Sequence, residues 1–371
     1  QPLALGALWM GARGLRGSAR SFVAAGLLAG LATLSRNDGL LLLVALGLAF
    51  AWDRWRRRSI PWTAAIVCVG LFVAVLAPWW LRQLAVFGSL SPSTASGKVF
   101  FIRDIAEWNS ISTPATLEHL LGMGIGPFIA TRLDGLVAAV MIYVTLVAGF
   151  VLAPFMVIGG WARRRSLDFG PFFLYAGLLF AFSTLVSAVH VPGGTFIHSA
   201  VALAPHSYVL AFEGIALAVA WVAVRRRSWD ARAAAAAFTG AAVVFALGAA
   251  VVGSAFVHGV WDQSRAKFVR VAAALDSARA ATTDRVMSID AAGTKYWSGR
   301  GGVVLVNDPQ DVVRDVARAY DIRWLVLDRE DSVESMAPVL DGVAHPTWLG
   351  PPVLMEGSPL RLAVYPVEPG R

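Results

Sequence analysis

"LATLSRNDGLLLL", residues 31–43, sets Arg36, Asn37 and Asp38 between two runs of aliphatic residues. The surrounding apolar stretch, 22–52, is too long for one comfortable bilayer crossing and too short for two full ones. Basic clusters flank it, with Arg13, Arg16 and Arg20 before it and "DRWRRR" (53–58) after it. Under the positive-inside rule both ends then face the cytoplasm. The stretch reads as a hairpin of two short helices, 21–35 and 39–52, with "SRNDG" at its tip. At about 1.5 Å per residue each arm reaches roughly 20 Å, against about 30 Å of hydrocarbon. The tip therefore sits at membrane depth, where charge persists only inside protein or beside a wet cavity. The alternative is one kinked, tilted span, which puts the two basic clusters on opposite sides.

Composition supports a membrane setting. Of 371 residues, 57% are hydrophobic and only 15% charged, where soluble domains carry about a quarter charged residues. The net charge of +8 is unevenly spread. Residues 1–257 hold 19 Lys and Arg against 9 Asp and Glu, whereas 258–371 hold 13 against 15. The excess lies in short clusters between apolar runs, which reads as a topology signal and excludes nucleic acid as a partner. The single cysteine, Cys68, permits no intrachain disulfide.

Full-length spans are predicted at about 62–81, 136–158, 171–189, 200–224 and 233–257. With "ARRRS" (162–166) and "VRRRSWDAR" (224–232) also cytoplasmic, they alternate sides and leave 82–135 as an outer loop. Within that loop "TPATLEHLLGMGIGPFI" (113–129) reads as an amphipathic helix with Thr113 as N-cap. It would lie on the membrane surface or pack against helix ends. Beyond 258 the pattern turns α/β. A helix is expected over 261–281, strands over 285–290, 302–307, 322–328 and 360–367, and a helix over 308–320 capped by Asp308. "TKYWSGRGG" (294–302) reads as a turn, and no glycine-rich phosphate loop follows a strand. The expected fold is an α-helical multi-pass membrane domain, 1–257, followed by a small α/β extracytoplasmic domain, 258–371.

No CxxC, HExxH or nucleophile-elbow motif is present. His190, His198 and His206 fall in one stretch, and on a continuous helix His198 and His206 share a broad face. They are either cavity residues or interfacial ones facing headgroups. Glu213 falls in the middle of the 200–224 span, where a lone carboxylate needs a partner. Arg36 is the expected partner, directly or through Asp38.

Several stretches together resemble the GT-C superfamily of polyprenyl-phosphate-sugar-dependent membrane glycosyltransferases, of the protein-mannosyltransferase-like and aminoarabinose-transferase-like kinds. They are "GLLAGLATLSRNDGLLLL" (26–43), "APWWLRQLAVFGSLSPS" (77–93), "GGTFIHSAVALAPHSYVLAFEGIA" (193–216) and, in the tail, "YWSGRGGVVLVNDP" with "YDIRWLVLD". Gln83 stands where the family usually has Asn, and His198 where Arg is common. The resemblance implies transfer of a sugar from a polyprenyl-phosphate donor to an acceptor at the outer face of a bacterial-type plasma membrane, among membrane lipids. It implies an acidic residue in the first outer loop as base or ligand of a divalent metal, and basic residues on the lipid phosphate. That acidic loop lies upstream of the matched region, so the chain reads as a truncated copy or one lacking the base, with Asp104 and Glu107 of the outer loop as conceivable substitutes. Arg36, Asp38, Arg82, His198, His206 and Glu213 are the candidate phosphate or cavity residues, with interfacial snorkelling the other reading of Arg82 and a structural ion pair that of Arg36. A non-catalytic scaffold of the same fold, and a transporter using the broken helix and Glu213, are the competing classes.

Overall fold

The computed structural model describes residues 1–90, 100–114, 116–189, 195–226, 228–329, 333–357 and 361–368. Two compact units emerge, Gln1–Phe100 with Leu121–Ala249, and Phe101–Leu120 with Ala250–Arg371.

The first unit is helical: α1 (Pro2–Leu15), α2 (Ala19–Ser35), α3 (Leu40–Arg56) and α4 (Trp62–Phe87), then α6 (Ile125–Ile142), α7 (Ala153–Arg163), α8 (Gly170–Ala181), α9 (Thr195–Ala200) and α10 (Ala204–Arg225), while the short helix α5 (Leu117–Leu121) falls almost wholly in the second unit. Helix α11 (Ala231–Ser277) continues into the second unit. The stretches Trp62–Phe87, Ile125–Val147, Phe196–Arg225 and Ala231–Ser277 are long and apolar enough to cross a membrane, while Ala19–Ser35 and Gly170–Val186 are shorter apolar helices. Helices α2 and α3 form an antiparallel hairpin, with Phe22 near the start of one and Phe50 near the end of the other at 6.2 Å.

Small residues set the helix spacing. A Cβ on Gly26 would lie 2.2 Å from the Cys68 carbonyl, so α2 and α4 touch backbone to backbone. On α7 and α10, Gly159 meets the Leu210 carbonyl and Gly214 meets that of Phe155, which makes the two helices antiparallel. The "ARRRS" end of α7 thus lies toward the Ala204 end of α10, with Arg225 at the other end. The expected levelling of these two clusters on one side does not hold along α10, because the span predicted over 136–158 is not one helix. Helix α6 starts at Ile125, inside the expected outer loop, and closes in a wider π turn over Tyr143–Val147. Gly149 and Phe150, at φ 56° and 60°, then turn the chain before α7 begins. Hydropathy is blind to that left-handed break.

The second unit carries a five-stranded sheet in the order β2-β1-β3-β5-β4, with β1 (Arg285–Ser288), β2 (Gly302–Val304), β3 (Ile322–Asp328), β4 (Leu354–Glu356) and β5 (Leu362–Pro366). Strands β2, β1 and β3 are parallel, and β5 and β4 follow antiparallel. Alternation along β3 assigns its faces. Trp324 and Val326 pack with Val271 and Leu275 at the end of α11, and Leu325 and Leu327 pack with Val313 and Ala317 of α13 (Gln310–Ala319). The helices expected separately at 233–257 and 261–281 are one 47-residue helix, so the boundary read at 257/258 falls inside it; no proline interrupts the run. Strand β4 was not foreseen.

Two capping expectations also change. Pro309, not Asp308, precedes the first turn of α13. The Asp308 carboxylate instead accepts from the Ser110 hydroxyl at 2.7 Å and from the backbone N–H of Ile111 (2.7 Å) and Ser112 (3.1 Å). Asn307 adds a bond from its side-chain amide to the Ala106 carbonyl at 2.7 Å. Residues 106–112 are thereby strapped to the loop after β2. The helix expected over 113–129 shrinks to α5, separated from α6 by Gly124 at φ 84°, and the Thr113 N–H bonds the Ser110 hydroxyl rather than Thr113 opening a helix. In "TKYWSGRGG" the first residues complete helix α12 (Ala291–Ser298), which ends at left-handed Gly299.

Candidate functional site at the hairpin tip

The tip is built by a turn that only glycine closes. After Ser35 the chain is extended at Arg36, and Asn37–Gly39 make a single tight turn leading into α3. A Cβ on Gly39 would stand 2.6 Å from the Thr33 nitrogen. This fold-back sets Asp38 under Arg36, whose Nε donates to Asp38 Oδ2 at 3.2 Å. From α9, the Ser199 hydroxyl donates to the same oxygen. The Asp38 side chain is 8% exposed and that of Arg36 40%, so the carboxylate anchors the pair while the guanidinium reaches outward. Two donors, one of them cationic, offset the desolvation of this buried carboxylate.

A cavity of about 360 Å³ opens at this point, lined by Ser35, Arg36, Asp38, Tyr175, His198 and Ser199 together with Gln1 and neighbouring apolar groups. Helix α8 supplies Tyr175 and α9 supplies His198 and Ser199. A guanidinium, an imidazole, a phenol and two hydroxyls around one apolar-floored space suit an anionic head group carried on an apolar chain.

Of the six residues read from the sequence, three share this cavity: Arg36, Asp38 and His198. His206 lies elsewhere, stacked on Phe172 at 4.8 Å with 8° between the planes and edge-on to Phe169. Its Nδ1 is buried and has no hydrogen-bond partner among the described residues. The face shared by His198 and His206 assumed a continuous helix. A tight turn over Val201–Leu203 interrupts it, with Pro205 opening α10. Arg82 lies over the Trp79 ring at 5.5 Å and is not among the cavity residues.

The expected Arg36–Glu213 pair is also replaced. Glu213 is gripped by Arg163, Nε to Oε2 and Nη2 to Oε1, both at 2.7 Å. The Gly159–Leu210 contact brings the end of α7 within reach of Glu213, so a two-pronged guanidinium grip forms between neighbouring helices. In the 82–135 segment, Glu107 pairs with His119 at 3.0 Å and accepts from the Arg103 N–H, while Asp104 accepts from the N–H of Ala106 and Glu107. Both acids are thus occupied with local structure. His190 lies outside the described residues.

Sequence reading missed Tyr175, Ser199 and Arg132. Tyr175 is the one phenol in "GPFFLYAGLLF" (170–180), and Ser199 directly follows His198, so each carried a faint signal. Arg132 falls in the segment 82–135 expected as an outer loop. It sits on α6 at 8% exposure, its guanidinium 3.8 Å from the Phe128 ring centroid, with Nε and Nη1 lacking a hydrogen-bond partner among the described residues.

Comparison with protein-family models, with curated proteins and with solved structures gives no match. Among the described residues no group of three His, Cys, Asp or Glu side chains gathers to hold a metal ion, and Asp38 is the single acidic residue of the cavity lining. That donor set does not fit a resident divalent metal.

Proposed function

We propose that the chain is a membrane glycosyltransferase of the GT-C kind, moving a sugar from a polyprenyl-phosphate donor to an acceptor at the outer membrane face. The observation that supports this most is the convergence of Arg36, His198, Tyr175 and Ser199 on one cavity at the tip of a hairpin of two 17-residue helices. A phosphodiester head carried on a lipid needs fixed positive charge in a low-dielectric cleft, and the guanidinium supplies it in planar, paired geometry. In this reading Arg36 meets the phosphate, Asp38 and Ser199 hold Arg36 in place, and His198 faces the sugar or the leaving oxygen. The α/β unit then stands outside a bacterial-type plasma membrane. Arg132, buried without a counter-charge partner among the described residues, is a second cation whose burial an arriving anion would offset.

A second reading is favoured by one observation. The carboxylate of the cavity lining is already engaged by Arg36 and Ser199, which suits a non-catalytic subunit that binds the lipid phosphate without turning it over. Membranes carrying the full chain, supplied with a radiolabelled polyprenyl-phosphate sugar and a cell-envelope acceptor fraction, separate the two. Transfer that falls about 100-fold in Arg36→Ala, at unchanged protein level, supports the enzyme. Photo-crosslinking of the donor lipid without transfer supports the binding subunit. Neither transfer nor crosslinking overturns both.

A further inference from the structure

Where α11 enters the second unit it has no protein cover. Val251, Val252 and Phe256 are 70%, 69% and 71% exposed, and residues 250–260 contain no acid, lysine or arginine. The apolar run ends at a ring pair, His258 and Trp261, whose centroids are 5.2 Å apart. Asp262, Gln263, Ser264 and Arg265 follow, so the helix changes from hydrocarbon-like to polar within one turn.

A second element meets the helix at this level. One turn beyond Trp261, the Arg265 guanidinium lies over the Trp297 ring at 5.5 Å. Trp297 packs edge-on against Tyr296 at 5.2 Å, and Tyr296 is 79% exposed. These aromatics are not on a loose tail. Helix α12 is opened by the Asp290 side chain, which accepts from the Gly293 N–H, and closed by left-handed Gly299. At its start Gly293 fits so tightly against the α11 residue Phe268 that a Cβ would stand 2.6 Å from that ring. A rigid helix thus presents a tyrosine and a tryptophan to solvent, beside Arg265 and Lys295. Burial of such rings inside water-facing protein would be the ordinary outcome.

We infer that Trp261, Tyr296 and Trp297 form an interfacial aromatic edge that seats the α/β unit on the phospholipid headgroup layer where α11 leaves the bilayer. Rings with one apolar and one polar end favour that depth, and Arg265 and Lys295 reach phosphate oxygens beside them. The occupant is lipid because the edge continues directly from an uncovered apolar helix that itself requires lipid. Contact through α12 as well as α11 gives the unit two attachments and fixes its tilt.

The test uses the full chain in phospholipid nanodiscs, with buried Cys68 replaced by alanine and a nitroxide attached at Tyr296→Cys. Labels at Phe256→Cys, on the apolar part of α11, and at Val343→Cys, an exposed loop position of the same unit, set the two extremes. The 296 label is expected to collide with a water-soluble nickel chelate roughly threefold less often than the 343 label, and more often with oxygen. Trp297→Ser together with Trp261→Ser should restore nickel collisions at 296. Equal nickel access at 296 and 343 overturns the inference. So does a 296 label shielded from nickel and oxygen alike, which marks a protein contact in place of lipid.

Discussion

In the helical unit, three contacts between elements close on glycine, Gly26 on Cys68, Gly159 on Leu210 and Gly214 on Phe155, each backbone against backbone, beside buried large side chains such as Phe22, Phe72 and Leu179. In the α/β unit they meet through large side chains, with Met287, Leu305, Leu325 and Leu327 at 0–1% exposure between the sheet and its helices. The difference follows from the solvent. Lipid gives apolar side chains less reason to prefer a neighbouring helix, so close backbone approach and polar pairs add to the apolar packing of the bundle. Water drives leucine and valine off the surface, so a sheet filled by side chains suffices. The same contrast separates two carboxylates. Asp308 is closed off by a hydroxyl and two backbone amides, a purely structural knot. Asp38 is held by Arg36 and Ser199 at the wall of an open cavity.

Three substitutions test the contrast. Gly26→Leu is expected to have the largest effect, because its side chain has no room against the Cys68 carbonyl. The helical unit should fail to assemble, seen as loss of monodisperse protein in detergent. Recovery of normal yield and elution would show that α2 and α4 can separate, and the packing distinction would fall. Leu325→Ala, at 0% exposure in the sheet core, should cost about 3 kcal/mol, read from chemical unfolding of the α/β unit. A loss below about 1 kcal/mol would mean that this core is not the tightly filled one described.

The smallest effect of the three is expected from Asp308→Ala, at about 2 kcal/mol for a buried charge-assisted bond lost with its amides left unpaired. Burial pushes the Asp308 carboxyl up, but the bonds from Ser110 and the amides of Ile111 and Ser112 outweigh it and hold it below the usual carboxylate range. The sign follows from linkage. A depressed folded pKa gives stability that is complete above the unfolded value of 3.8 and is lost as pH falls through the folded value. Amide exchange at Ile111 and Ser112 should therefore stay protected at pH 5 and open only below about 3.8, while in Asp308→Ala it is open throughout. Protection that titrates away near neutral pH would remove Asp308 from the strap.

Much of the architecture could be read locally. Hydropathy marked the apolar segments, because crossing a bilayer imposes length and composition on each segment separately. Four of the strands and α13 showed in alternation and turn residues, and "SRNDG" announced a tight polar turn. What failed depended on backbone angles or on partners far along the chain. The Gly149–Phe150 break, the turn over Val201–Leu203 and the unbroken α11 leave no trace in hydropathy. Asp308 read as a helix cap because its partners lie 196–198 residues away.

The candidate site divides in the same way. Sequence alone placed Arg36 and Asp38 two residues apart in one polar turn between apolar helices. Tertiary structure alone decided which distant groups join them. It brought Tyr175, His198 and Ser199 to the tip, gave Glu213 to Arg163, and set His206 on Phe172. Those choices depend on helix contacts closed by single glycines, and a residue's identity does not state which carbonyl its missing side chain will admit.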